Sequence, residues 1–445
     1  MSSKKGIRIG SYRITPLGIV TLFVLLVIIV ALVIFSVSNP FESVPDAQQT
    51  AANVQPVPEA TLAPEALTDS TAETPAPTPT PAPTSTPAPR RATIRALGEI
   101  AIETDLLVSA FDKESNTFDF TPMFSEIADV VGNADYTIAD VEGTMGDTQS
   151  VSGNGATMYT PSILLQNLKE IGVDMLTLAN DHALDGGFGE LQATVKNVAA
   201  AGLDYVGAAA SAEEKATPVI KDLNGIKVGF IAYTDALRGL NSDTDPEAIQ
   251  YGVNLAQASD LMNDIKLARD GGAEILVAIM SWGEMLNSTP TELQQQMAMM
   301  LSSAGVDVII GYNPHLTQPM GWLEIPKQDG SGTQRTLCLL SAGNFLSNQR
   351  NQYTDSGIIF EFTLAEQEDG TVAVVDPVYI PTYVMRLDNG DNTYEYRTLA
   401  VGQWKDGDYE SAPQGMTYVD FERMKTVWAE MQTILGSEVA EIAAE

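Results

Sequence analysis

The sequence predicts a mixed α/β fold in which two sheets stack face to face with helices outside. Three observations predict it. From Thr93 onward short apolar runs alternate with amphipathic stretches, the rhythm that lays parallel strands under helices. Beyond residue 319 strands follow one another with no helix between, which supplies material for a second sheet. The apolar runs end repeatedly in polar, turn-forming residues, and in such folds those strand ends share one side of the molecule.

The chain has 445 residues and opens with Lys4, Lys5, Arg8 and Arg13 and no acidic residue. Residues 17–37, "LGIVTLFVLLVIIVALVIFSV", carry no charge. At 1.5 Å per residue they match a bilayer core of roughly 30 Å. The basic flank places residues 1–16 in the cytoplasm and the rest outside, a single-pass signal anchor in the cell membrane. Residues 38–91 end in "TPAPTPTPAPTSTPAPRR", where recurrent proline blocks helix and sheet and favours an extended, disordered stalk. Residues 92–385 are expected to form the main domain, and residues 386–445 a C-terminal extension with an amphipathic helix.

Within the main domain "TIRALGEIAI" reads as the first strand, residues 121–134 as a helix and "DYTIADVEG" as the next strand. Thr160–Pro161 starts a helix that runs to Gly172. "VDMLTLAND" is a buried strand, residues 186–202 a helix and "LDYVGAA" a short strand. Residues 216–235 form a hairpin turning at Asn224–Gly225. Helices over 254–272 and 289–305 alternate with strands at "EILVAIMSWG" and "VDVIIGYNPH". Strands at "MGWLEIP", "RTLCLLSAG", "SGIIFEFTL" and residues 371–385 follow, and the last helix covers residues 421–437.

The chain carries 24 Lys+Arg against 58 Asp+Glu, a formal net charge of −34. Such a body is repelled by nucleic acid, so no nucleic-acid partner is expected. It also repels an anionic polymer unless cations bridge the two. The single cysteine, Cys338, excludes an intramolecular disulfide and, inside "RTLCLLS", reads as a small packed thiol.

Polar residues gather at six strand ends: Glu99; Asp140 and Glu142; Asn180, Asp181, His182 and Asp185; Ser281, Trp282 and Glu284; Asn313 and His315; and Asn344. Oxygen and imidazole donors from successive strand tips are what a hard or borderline divalent cation needs. Each has a plainer reading too. A lone loop histidine is more often structural than a ligand, Trp282 can simply pack, Asn344 can tie two loops, and Asp185 can brace the turn before a helix.

On these residues the body, from about residue 95 to 345, resembles the CapA family of capsule or poly-γ-glutamate synthesis proteins, with a metallophosphoesterase-like fold. The family's Gly-Asp-hydrophobic first strand matches Gly98-Glu99-Ile100. Its Asn-Leu-Glu-Gly matches Asp140-Val141-Glu142-Gly143, and its Ala-Asn-Asn-His-Ala pattern matches residues 179–187, "ANDHALDGG". Its His-Trp-Gly with a following Glu matches Ser281-Trp282-Gly283-Glu284. Its Gly-His-His-Pro-His matches Gly311-Tyr312-Asn313-Pro314-His315, and its Gly-Asn-Phe is intact as Gly343-Asn344-Phe345. Three imidazoles of the pattern are replaced here, by Ser281, Tyr312 and Asn313.

The resemblance implies a membrane-anchored extracytoplasmic protein for making or exporting an anionic surface polymer, partnered by membrane polymer-synthase subunits. The alternatives are a divalent-metal-dependent hydrolase acting on a phosphoester or a peptide-like bond, or a catalytically dead binding module on the same fold. In the hydrolase reading Glu99, Asp140, Asn180, His182 and His315 are the ligands of a metal. Glu142, with His182 and His315, serves catalysis, and Asp181, Trp282, Asn313 and Asn344 line the pocket. With three imidazoles gone, the expectation is one divalent ion (Mn, Zn, Mg or Ca) or none.

Overall fold

The structure is a computed structural model that describes residues 7–9, 12–14, 88–147, 152–153, 157–238, 244–327, 332–436 and 440–441. The expected anchor at 17–37 and nearly all of the stalk lie outside these. Among the described residues no helix is long and apolar enough to cross a membrane. Two short strands, Ile7–Ile9 and Tyr12–Ile14, pair antiparallel near the N-terminus.

The first sheet begins with β1 (Arg91–Ile100), followed by helix α1 (Thr104–Ala110) and β2 (Tyr136–Val141). Next come α2 (Ile163–Glu170), β3 (Met175–Thr177), α3 (Phe188–Ala200) and β4 (Asp204–Val206). These four strands are mutually parallel, in the order β4-β3-β2-β1. The chain then builds a second sheet. It consists of β5 (Val219–Leu223), β6 (Ile226–Thr234), β7 (Ile275–Ser281), β8 (Val308–Tyr312), β9 (Thr317–Pro326) and β10 (Thr333–Ala342), in the order β5-β6-β7-β8-β10-β9. Helices α4 (Ala258–Asp270) and α5 (Glu292–Ser303) cross over between its parallel strands. The chain returns to the first sheet through β11 (Asn344–Leu346), β12 (Ser356–Glu366), β13 (Val372–Asp388) and β14 (Tyr394–Ala400), and ends in α6 (Tyr418–Leu435).

Strand alternation shows why the sheets stack. Val228, Phe230 and Ala232 of β6, Val277 and Ile279 of β7 and Leu337 and Leu339 of β10 join one buried cluster with Ile94 and Ile138 of the first sheet. The intervening Ile231, Tyr233, Leu276, Met280 and Leu340 face the other way, onto Leu261 and Ile265 of α4 and Met297 and Leu301 of α5. Cys338 lies in that outer layer, and burial pushes its thiol up to about 12. The β5–β6 hairpin turns at Asn224 (φ 54°) and Gly225 (φ 86°), the pair of left-handed residues a two-residue type I′ turn requires.

Three expectations change. The helix expected over 121–134 is two short pieces, Thr121–Phe124 and Ala128–Gly132, parted where Ile127 leaves helical geometry at φ −129°. Helix α1 and strand β14 were not anticipated. A boundary at residue 385 falls inside β13, and β14 and α6 bury Tyr396, Leu399, Phe421 and Met424 in the main core, so the C-terminal segment is part of the same body.

Candidate functional site

The site is set by β1. Asp140 on β2 and Asn344 on β11 stand opposite Glu99 in the two flanking ladders, so strand register alone brings three side chains together. This needs a close approach. A Cβ on Gly98 would lie 2.5 Å from the Gly343 carbonyl oxygen, and the Glu99 N–H donates to that same oxygen at 2.8 Å. Only glycine fits at Gly98. From the second sheet, the loop after β8 carries Asn313 (φ 94°) and His315 (φ 57°) in the left-handed region. Such conformations cost of order 1–3 kcal/mol and cluster where a side chain must be aimed. Here the twist delivers the His315 imidazole between the sheets.

His315 is the hub. Its Nδ1 lies 3.1 Å from Asn344 Oδ1 and 3.2 Å from Glu99 Oε2, and its Nε2 lies 3.6 Å from Glu142 Oε1. Its backbone N–H donates to Glu99 Oε1 at 3.2 Å. Glu99, Asp140, Glu142 and His315 are all buried. Burial pushes the Glu99 carboxyl up and Glu142 adds to this, while His315 pulls the other way; the balance stands at about 7. Burial likewise raises Glu142, and it raises Asp140 well above the usual carboxylate range with Glu99, Glu142 and Asp181 contributing. Burial opposes the charge on His315, but Glu99 and Glu142 outweigh it and lift the imidazole to about 9.

A second group adjoins the first. Asp185 Oδ2 lies 2.5 Å from His182 Nδ1 and accepts the Met158 N–H at 2.7 Å, which fixes the ring and turns Nε2 away from that partner. Burial lowers the His182 pKa, but Asp185, Glu142 and Asp181 together raise it above the ordinary value. Asp181 pairs with the Arg238 guanidinium, whose backbone N–H also donates to the Asp181 carbonyl at 2.9 Å.

Other expected residues serve as braces. Asn180 donates from Nδ2 to the Val141 carbonyl at 2.9 Å and accepts the Gly143 N–H at 3.3 Å, so its amide secures the tip of β2. Asn313 Nδ2 donates to the Gly283 carbonyl at 2.9 Å. Asn344 holds the ring of His315 and donates to the Thr354 carbonyl at 2.9 Å. Trp282 is not brought to the cluster: it lies wholly buried in the layer under α4 and α5, its Nε1 donating to the Leu340 carbonyl at 2.9 Å. Glu284 is exposed and accepts from Asn287. Of the replaced family histidines, Tyr312 uses its hydroxyl to join the sheets, donating to the Leu97 carbonyl at 2.8 Å.

Two residues were missed. Glu103 accepts from the Asn348 N–H at 2.6 Å and the Ser347 hydroxyl at 3.0 Å, and burial raises it. Arg238 follows β6, whose C-terminal end points the same way as the other strand tips, and that was the available signal.

The donors suit a divalent cation. One ligand atom each from Glu99, Glu142 and His315 lie within 4.8 Å of one another. Asp140 Oδ1 is buried without any hydrogen-bond partner, and Glu99 Oε2 is met only by the His315 ring, a costly state that a cation relieves. Two carboxylate oxygens and one imidazole nitrogen are hard-to-borderline donors. Glu142, expected in catalysis, belongs to this trio; Asp140 stands beside it. A cation bound there would polarise an oxygen ligand or bridge to an anionic group.

Residues 93–349 match the sequence profile of the bacterial capsule synthesis protein PGA_cap. The chain is 29% identical over 216 residues to the capsule biosynthesis protein CapA of Bacillus anthracis, covering 47% of this chain and 48% of that one. It is 27% identical over 209 residues to the PGA biosynthesis protein CapA of Bacillus subtilis (strain 168), covering 46% and 51%. The chain thus spans about half the length of the curated relatives it matches. Among solved structures, the Haemophilus influenzae NAD nucleotidase NadN aligns with a TM-score of 0.42 at 8% identity over 80% of this chain and 65% of that one. The calcineurin-like phosphoesterase YfkN from Bacillus subtilis aligns at 0.37 and 13% identity over 78% and 98%. Both are too remote to bear on fold or activity. The matched profile covers more than half of the 445 residues, with the strand-tip motifs that build the buried cluster inside it, and the chain belongs to the bacterial capsule synthesis protein family PGA_cap.

Proposed function

We propose that this protein works in the synthesis or export of an anionic surface polymer of the capsule or poly-γ-glutamate class. Its buried strand-tip cluster holds one divalent cation on Glu99, Glu142 and His315, and that cation bridges the protein to a carboxylate of the polymer. The observation that carries this reading is the set of three buried acidic groups, in which Asp140 Oδ1 has no hydrogen-bond partner and Glu99 Oε2 meets only the His315 ring. A chain with net charge −34 needs such a bridge to approach another polyanion. Residues 17–37 anchor the body outside the membrane, beside polymer-synthase subunits. The names of the two CapA relatives support the polymer class.

A second reading is favoured by one observation. The His182–Asp185 pair places an oriented imidazole next to the cation site, the arrangement a metal-assisted hydrolase uses to move a proton. Polymer production in a strain depleted of this protein separates the readings. Under the first, Glu142→Gln abolishes polymer and His182→Ala does not. Under the second, both reduce the yield and alter the length of the polymer. Full production with Glu142→Gln overturns both.

A further inference from the structure

Between residues 88 and 436 the described residues include ten arginines, and eight of them reach a carboxylate within 4.0 Å. The two without one are Arg350 and Arg386. Scarcity of carboxylates is not the cause, since acidic residues outnumber basic ones 58 to 24. The two guanidinia lie close enough that burial, and then the charge of Arg386, lowers the pKa of Arg350. Arginine cannot shed its proton to relieve this. The acids in the neighbourhood are committed elsewhere: Asp355 takes two bonds from Arg423, Glu103 serves Ser347 and Asn348, and Asp105 serves Asn348.

Two tyrosine rings hold these guanidinia in place. Arg386 is the cross-strand partner of Tyr396, and its guanidinium carbon stands 4.6 Å from the Tyr394 ring centre. Arg350 stands 5.6 Å from the Tyr396 ring centre and donates to the Ser347, Gln349 and Val384 carbonyls, with N–H groups left over. Tyr396 is 1% exposed, and its buried hydroxyl has no hydrogen-bond partner. Asn344, which holds His315, also donates to the side chain of Gln349 next to Arg350 at 3.4 Å, so this place adjoins the buried cation site.

We propose that Arg350 and Arg386, braced by the Tyr394 and Tyr396 rings, form a carboxylate-binding subsite that takes a pendant carboxylate of the acidic polymer while a neighbouring carboxylate of the same chain meets the cation site. The assignment rests on the polymer reading above. Planar guanidinium forks match a carboxylate, and the nearby Glu103 and Asp105 disfavour a dianion such as phosphate.

The test uses the full chain with saturating manganese, so that the cation bridge is in place, with a short γ-linked glutamate oligomer as probe and inorganic phosphate as a second arm. Wild type binds the oligomer, Arg386→Gln weakens binding about tenfold or more, and Arg386→Lys is intermediate. Without oligomer, Arg386→Gln leaves the melting temperature unchanged or raises it, because a like-charge contact is gone; a purely structural arginine would lower it. Equal binding by wild type and Arg386→Gln, or no binding by wild type, overturns the proposal. So does phosphate binding that depends on Arg386 while oligomer binding does not. The cation-induced melting shift, measured on the same variants, is a separate readout. Its absence sinks the cation-bridge reading, whereas oligomer binding indifferent to Arg386 sinks the subsite alone.

Discussion

Glu99→Gln is the substitution that most sharply separates a cation site from a structural carboxylate. The Glu99 side chain is fully buried, and its pKa moves from 4.5 to about 7 on folding. Each unit of such a shift is about 1.4 kcal/mol. At pH 8 the ionised carboxylate therefore costs the empty fold about 3 kcal/mol relative to its neutral form, to order of magnitude. Glutamine has the shape of the neutral form and keeps an oxygen for the His315 N–H. The variant, in EDTA at pH 8, is expected to be more stable than wild type by about 1–3 kcal/mol, the lower figure allowing for an imperfectly paired amide. With a divalent cation the order reverses. Wild type gains about 2.7 kcal/mol at a hundredfold excess over Kd, and the variant gains little because an anionic ligand is gone. Urea unfolding with and without manganese measures both. A variant that is less stable in EDTA, and that responds to manganese as wild type does, refutes the reasoning.

Three other outcomes follow from the same geometry. Glu99 and His315 both have folded-state pKa values raised above their unfolded ones, to about 7 and about 9. The native state therefore binds more protons, and stability in EDTA should be fullest below pH 4.5 for these two groups and fall as pH rises from 5 to 9; urea midpoints that rise across that window contradict this. The chain has only two histidines, so NMR resolves each imidazole; both should titrate above the ordinary 6.5, and Asp185→Asn should lower His182 alone. Trp282→Phe leaves the Leu340 carbonyl without its indole donor and should cost about 1–3 kcal/mol while cation binding is unchanged.

The architecture was legible because its signals are local. Strand alternation and the Asn224–Gly225 turn act over a few residues, and they located the second sheet and its hairpin. The strand-tip rule collected Glu99, Asp140, Glu142 and His315 from three distant stretches, because parallel strands must end on one side. What it could not supply was orientation. Trp282 belongs to the same tip as Ser281, yet side chains alternate along a strand, and its indole went to the outer layer. Asn180 was expected as a ligand, but its amide meets the backbone of residues 141–143, a contact fixed by register between strands. Glu103 was invisible for a related reason: its partners Ser347 and Asn348 are 244 and 245 residues away.

The central claim, that Glu99, Glu142 and His315 together hold a divalent cation, is tested most directly by crystals soaked in manganese and measured at its absorption edge. The account predicts one anomalous peak between the Glu99 and Glu142 carboxylates and the His315 ring, lost in His315→Ala. No peak there, or a peak seated on Asp181, His182 and Asp185 instead, would contradict it.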